Sequence, residues 1–112
     1  MSRAHDVPPL GVERADEPGG HRIRVTGELD VATNERLAEV LRDAIRTHER
    51  VIVDLAGVGF LDAGAVGTLV AAEADARGRG RVLVIDRAHG PVLRLLTLVG
   101  VLTRLQGLNS AG

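Results

Sequence analysis

The chain has 112 residues, with 14 basic against 15 acidic side chains and a formal net charge of −1. That length fits one domain around one core, and the near balance of charge offers no general attraction to nucleic acid or to an anionic membrane. Every basic residue is an arginine and there is no cysteine, which excludes lysine-dependent phosphate and Schiff-base sites, the lysine of a receiver site, disulfides and Cys-ligated zinc.

Residues 1–9 are polar and end in two prolines, so they are expected to form a flexible arm. Leu10 to Arg14 suits a short strand, and Asp16-Glu17-Pro18-Gly19-Gly20 has the composition of a turn. From His21 to Thr26, Ile23 and Val25 alternate with Arg22, Arg24 and Thr26, so the two strands read as a hairpin. Gly27-Glu28-Leu29-Asp30 breaks that alternation. A helix is expected from Thr33 to Thr47, because Leu37, Val40, Leu41, Ala44 and Ile45 recur at helical spacing, with Thr33 as N-cap and Glu35 in the first turn.

Val51 to Leu55 is a β-branched run with no polar alternation before Asp54, as expected of a strand buried on both faces. Ala56 to Phe60 is expected to be a loop. Asp62 opens a second helix, from Ala63 to Arg77, stopped by Gly78 and Gly80, and Arg81 to Asp86 is a second buried-type strand. Pro91 suits the first position of a third helix, which Gly100 ends, and the residues from Val101 onward fade into a polar tail, flexible over 107–112. Strand–helix–strand units imply parallel pairing, so the fold class is α/β, a small mixed sheet with helices packed against it over residues 10–106.

Chemistry has few footholds. Glu28 and Asp30 are better suited to shaping a turn than to acid–base work. Asp54 and Asp86 end neighbouring strands, where α/β sites often lie, yet no third ligand accompanies them and they read as structural. His5, His21, His48 and His89 are scattered without metal-ligand spacing. The glycines form neither a P-loop nor a dinucleotide fingerprint. Ser2 and Ser110 lie in the ends of the chain with no base nearby. Phe60 is the single aromatic ring, whereas binders of single-stranded nucleic acid stack bases on several. No catalytic, cofactor or metal site is expected, nor nucleic-acid binding. With no signal-like core at the start and no uncharged run approaching the roughly 18 to 20 residues of a membrane span, no membrane insertion is expected and the location is cytoplasmic.

Three segments carry more than pattern: Val25-Thr26-Gly27-Glu28-Leu29-Asp30; Val51-Ile52-Val53-Asp54-Leu55-Ala56-Gly57-Val58-Gly59-Phe60-Leu61-Asp62; and Gly64-Ala65-Val66-Gly67-Thr68-Leu69. In order and separation they resemble the STAS family, which includes bacterial anti-sigma-factor antagonists, and the likeness extends over nearly the whole chain. The resemblance implies a STAS-like fold and a non-enzymatic module without a cofactor. Its partner would be an anti-sigma factor of the histidine-kinase-like ATPase type, whose capture frees a sigma factor. A homodimer is also compatible. The implied partner-binding residues are Gly27, Glu28, Asp30, Leu61, Asp62, Ala63, Gly64, Ala65 and Gly67. Of the residues flanking the loop, Phe60 and Val66 are expected in the core and Leu61 is expected as the exposed apolar contact.

One departure from the family pattern matters most. The residue after the aspartate at position 62 is commonly a serine or threonine that a partner kinase phosphorylates; here it is Ala63, which has no hydroxyl. Thr68, one helical turn on, is the secondary candidate, although it also fits as an ordinary helix residue. As an alternative, a fold without a phosphosite could serve as a scaffold, in a stressosome-like assembly or as an accessory subunit of a lipid ABC transporter. A small enzyme or nucleotide-binding protein is the remaining alternative, and it would need a polar pocket of converging carboxylates.

Overall fold

The computed structural model describes residues 10–107, so the expected arm 1–9 and residues 108–112 of the expected tail lie outside it. In chain order the elements are β1 (Gly11–Glu17), β2 (Gly20–Leu29), α1 (Asn34–Thr47), β3 (Arg50–Leu61), α2 (Ala63–Gly78), β4 (Val82–Asp86), α3 (Gly90–Leu98) and α4 (Leu102–Leu105). The strands form one sheet in the order β1-β2-β3-β4, antiparallel between β1 and β2 and parallel thereafter. This is the mixed α/β architecture expected.

Strand alternation sorts the sheet into two unlike faces. One face carries Ile23 and Val25 from β2, Val51, Val53 and Leu55 from β3, and Leu83 and Ile85 from β4. These join Leu37, Leu41 and Ile45 of α1, Leu69 and Ala76 of α2, Val92 and Leu96 of α3 and Leu105 of α4 in a single buried cluster. Each buried Val, Leu or Ile side chain stabilises the fold by about 1.5–3 kcal/mol relative to exposure.

The opposite face is laid with charge. Asp54, whose side chain is 2% exposed, accepts hydrogen bonds from Arg22 at 3.0 Å and from Arg87 at 2.7 and 3.2 Å. The Ala56 N–H also donates to it, at 3.0 Å, and Arg24 Nε lies 3.8 Å away. Arg22 also donates to Asp86 at 2.9 Å and to Glu17 at 2.8 and 3.1 Å. Arg87 reaches Asp54 from a left-handed backbone, φ 60°. Burial would raise the Asp54 carboxyl pKa, but the bonds from Arg87, Ala56 and Arg22 outweigh it and hold the group below the ordinary 3.8. Asp54 and Asp86 thus both take part in the ion-pair network of this face.

Several boundaries differ from expectation. The first strand continues through Glu17, because Asp16 faces His21 and Glu17 faces Gly20 across the hairpin, which leaves only Pro18 and Gly19 in the turn. Gly27 to Leu29 does not break β2 but belongs to it. Ala56 to Phe60 is not a loop; it continues β3, with two irregularities. Leu55 and Ala56 together oppose Val25, and Gly59 is an extra residue between the pairs Gly27–Val58 and Glu28–Phe60. Gly57 sits where a Cβ would lie 2.6 Å from Thr26 Cγ2 and 3.2 Å from the Val25 carbonyl oxygen, so only glycine fits.

Strand β4 is an edge, not a strand buried on both faces: Val82 is exposed and Val84 half-buried. Helix α2 ends at Gly78 as expected, and Gly80, at φ 72°, closes the turn after it, with the Arg81 N–H bonded to Ala76 O and the Gly80 N–H to Arg77 O. Gly100 closes the turn after α3 in the same way. The expected tail begins with a single helical turn, α4, where Leu105 enters the core.

Two outcomes follow. Gly57→Ala lowers stability by about 1–3 kcal/mol, read as a shift in urea midpoint, because Thr26 or the β2 backbone must move. A carboxyl whose folded pKa is depressed contributes stability that is present above its unfolded pKa and is lost as pH falls through the folded value. Asp54→Asn therefore costs about 2 kcal/mol at neutral pH, less than a fully buried pair because Arg87 is half in water. That deficit narrows progressively below about pH 4, which denaturant titrations of both proteins across the acid range would measure.

Candidate functional site

The chain leaves β3 through Asp62, whose extended backbone (φ −102°, ψ 179°) makes it the N-cap of α2. Its Oδ1 accepts from the Ala65 N–H at 2.9 Å, its carbonyl from the Val66 N–H at 3.1 Å, and its own N–H donates to Leu29 O at 2.9 Å. The cap bond is worth about 1 kcal/mol. The bond to Leu29 ties the start of α2 to the end of β2.

Next to it, the turn after β2 is closed by its own polar groups. Asp30 Oδ1 accepts from the Ala32 N–H at 3.0 Å, and the Asp30 N–H donates to Thr33 Oγ1 at 3.0 Å. Thr33 Oγ1 in turn donates to Glu28 O at 2.7 Å. Thr33 holds the N-cap position of α1 as expected, but its hydroxyl serves this turn and makes no cap bond. Asp30 shapes the turn, as expected; Glu28 lies in β2, paired with Phe60, and lends the turn only its carbonyl oxygen.

Pairing of Glu28 with Phe60 and of Leu29 with Leu61 brings the two expected segments side by side. Glu28, Ala63, Gly64 and Gly67 are exposed, while Gly27, Asp30 and Asp62 are half-buried. Two of the expected contact residues are not at the surface: Leu61 is 3% exposed and Ala65 is fully buried, both in the core cluster. The apolar surface comes instead from Phe60, 46% exposed, and from Val31 on the adjoining turn, 89% exposed. The extra residue Gly59 turns Phe60 outward and Leu61 inward, and treating 56–60 as a loop hid that alternation. Val66 is buried as expected.

Ala63 is the first residue of α2, and its methyl group faces solvent. The first N–H groups of a helix lack intrahelical partners; of these, that of Ala65 is taken by Asp62. Thr68 Oγ1 donates to Asn34 Oδ1 at 2.6 Å, which binds α2 to the start of α1 and gives Thr68 a structural duty.

The histidines are not all scattered. His21 and His48 stack with ring centroids 3.7 Å apart and planes 13° from parallel, and Asp16 completes a group whose potential ligand atoms lie within 4.8 Å. Arg14 Nε donates to His21 Nε2 at 2.9 Å, so the His21 proton is on Nδ1 and is donated to Asp16 Oδ1 at 2.7 Å. Parallel rings aim their lone pairs side by side rather than at one point, and a guanidinium adjoins them. The arrangement clasps the hairpin to the end of α1, and the His21 hydrogen bond holds the Asp16 carboxyl below its ordinary range.

Comparison with known proteins agrees with this geometry. The family model described as "Mlab, STAS domain" matches residues 12–107. An anti-sigma factor antagonist from Mycobacterium paratuberculosis superposes with a TM-score of 0.74 at 23% identity, over 87% of this chain and 82% of that one. The anti-sigma factor antagonist SpoIIAA in its unphosphorylated form gives 0.71 at 17% identity, over 86% and 85%. A sulfate transporter family protein from Wolinella succinogenes gives 0.69 at 19% identity, over 83% and 76%. At these identities the solved structures speak to the fold alone; with the family match across residues 12–107, the chain belongs to the STAS family.

Proposed function

We propose that this chain is an anti-sigma-factor antagonist that acts by binding, without catalysis, and lacks the covalent switch of its phosphorylatable relatives. Its partner is an anti-sigma factor of the histidine-kinase-like ATPase fold, and capture of that partner releases a sigma factor in the cytoplasm. Among the described residues no helix is long and apolar enough to cross a membrane. The docking surface comprises Gly27, Glu28, Asp30 and Val31, then Phe60, and Asp62, Ala63, Gly64 and Gly67 around the start of α2. The observation that carries the reading is Ala63, exposed at the first position of a capped helix. A phosphate there would add about 1.5–2 negative charges beside Asp62 and Glu28 and alter any interface that covers this surface. With alanine in place, the surface stays in the unmodified state.

A second reading has its own support. The matching family model is the Mlab type, and one structural neighbour is a transporter family protein. A site that cannot be phosphorylated also suits a permanent scaffold or an accessory subunit of a lipid ABC transporter.

Affinity purification of the tagged chain from its host, with mass spectrometry of the captured proteins and of phosphate on the bait, separates the two. An anti-sigma ATPase on an unmodified bait is the expected result; transporter subunits without such an ATPase would overturn it in favour of the second reading. With the purified partner and ATP, Ala63→Ser gains phosphate at position 63 and loses affinity, while the natural chain gains none. Phe60→Ala weakens the complex at least about tenfold without unfolding the chain, as expected for an exposed aromatic anchor; equal affinity of the two proteins in a titration would place the contact elsewhere.

A further inference from the structure

At the end of the sheet opposite Asp62, a cavity of about 660 Å³ opens along β4, between α2 and α4. Arg50, Arg77, Arg81 and Arg104 line it, with Glu73 as the only carboxylate and the β4 residues Val82 to Val84 as its floor. Glu73 accepts from Arg77 at 3.0 and 3.2 Å and from Arg104 at 3.0 Å. Arg81 spends one nitrogen on the Ile45 carbonyl. Arg50 is exposed and makes no ion pair among the described residues. Four guanidinium groups thus face one carboxylate, and the local excess of positive charge contrasts with the near neutrality of the whole chain.

The floor of the cavity is itself unfinished. β4 has β3 as its only strand neighbour among the described residues, so its other edge presents backbone N–H and C=O groups with no strand beside them. Val82 adds exposed apolar surface there. A compact anion would engage the arginines and leave this edge unused. An extended chain would satisfy both features at once, because alternate side chains of a strand point to one side and would set acidic groups in a row against the guanidinium forks.

We propose that the free edge of β4 binds an extended acidic segment of a partner protein as a fifth strand, its carboxylates held by Arg50, Arg77, Arg81 and Arg104. This groove is separate from the surface around Asp62, so both can be occupied together.

The test uses the full chain and a fluorescein-labelled heptapeptide of alternating valine and glutamate, followed by anisotropy, with amide exchange of the complex read by NMR. Saturable binding is expected, weakened by added salt and about tenfold by Arg50→Glu, a change at an exposed, unpaired residue that leaves the melting temperature in place. The Leu83 amide, which points to the open edge while the Val82 N–H is bonded to Glu49 O, becomes protected, and a peptide with serine for glutamate does not bind. The proposal is overturned by an absence of saturable binding or by unchanged affinity in Arg50→Glu. It is equally overturned if inorganic triphosphate displaces the peptide while the Leu83 amide stays unprotected, which would mean a site for compact anions. Protection already present in the free chain and removed by deleting residues 108–112 would mean that the chain covers its own edge, and would also overturn it.

Discussion

The parallel pairing of β2 with β3 stays in register at both ends although the two strands differ in length between them. From His21 to Leu29, β2 uses nine residues; from Val51 to Leu61, β3 uses eleven. The two extra residues are taken up as bulges, at Leu55–Ala56 and at Gly59. Each bulge re-aims the side chains after it. The first coincides with the Ala56 N–H bonding back to Asp54; the second turns Phe60 out and Leu61 in. The strand then ends with the Asp62 N–H on the Leu29 carbonyl, the position from which Asp62 can cap α2. The spacing between the Glu28 turn and the exposed Ala63 is therefore fixed by strand geometry rather than by a flexible loop.

That device explains what could and could not be read from the residues. Helix α1 was legible because its apolar positions recur at a helical period and its charged residues fill the other face. The cap at Asp62 was legible because an aspartate before an apolar helical run has one favourable use. The continuation of β3 was not, because bulged strands lose the period of two, and glycines at positions 57 and 59 carry the composition of a loop. The same bulge at Gly59 sets which of Phe60 and Leu61 faces the core, and no local pattern marks it. Ala65 shares a small-residue segment with exposed Ala63 and Gly64, yet as the third residue of α2 it already faces the core. The His21–His48 stack was invisible for another reason: it joins a hairpin to a helix end 27 positions away, and no local pattern encodes that meeting.

Charge is distributed unevenly over the sheet. Glu28, Asp30 and Asp62 gather where the parallel strands end, while Arg50, Arg77, Arg81 and Arg104 gather where they begin. Between them, the face opposite the helices is organised by Asp54, whose buried carboxylate is shared by Arg22 and Arg87. A formal charge of −1 for the chain conceals the cluster of arginines along the start of β4. The apolar residues that remain exposed at the acidic end, Phe60 and Val31, sit on rigid backbone, one on a strand and one on a turn closed by Asp30 and Thr33.

The exclusive use of arginine has a consequence for the face organised by Asp54. A lysine in the place of Arg22 would lose its proton near pH 10.4, whereas a guanidinium keeps its charge beyond pH 12, and the carboxylates of Glu17, Asp86 and Asp54 raise that limit further for Arg22. No tyrosine is present to ionise in the alkaline range, and no cysteine. The charged face is consequently built entirely from groups that do not titrate in alkali, so strongly basic solution leaves its pairing intact where a lysine-built sheet would be discharged.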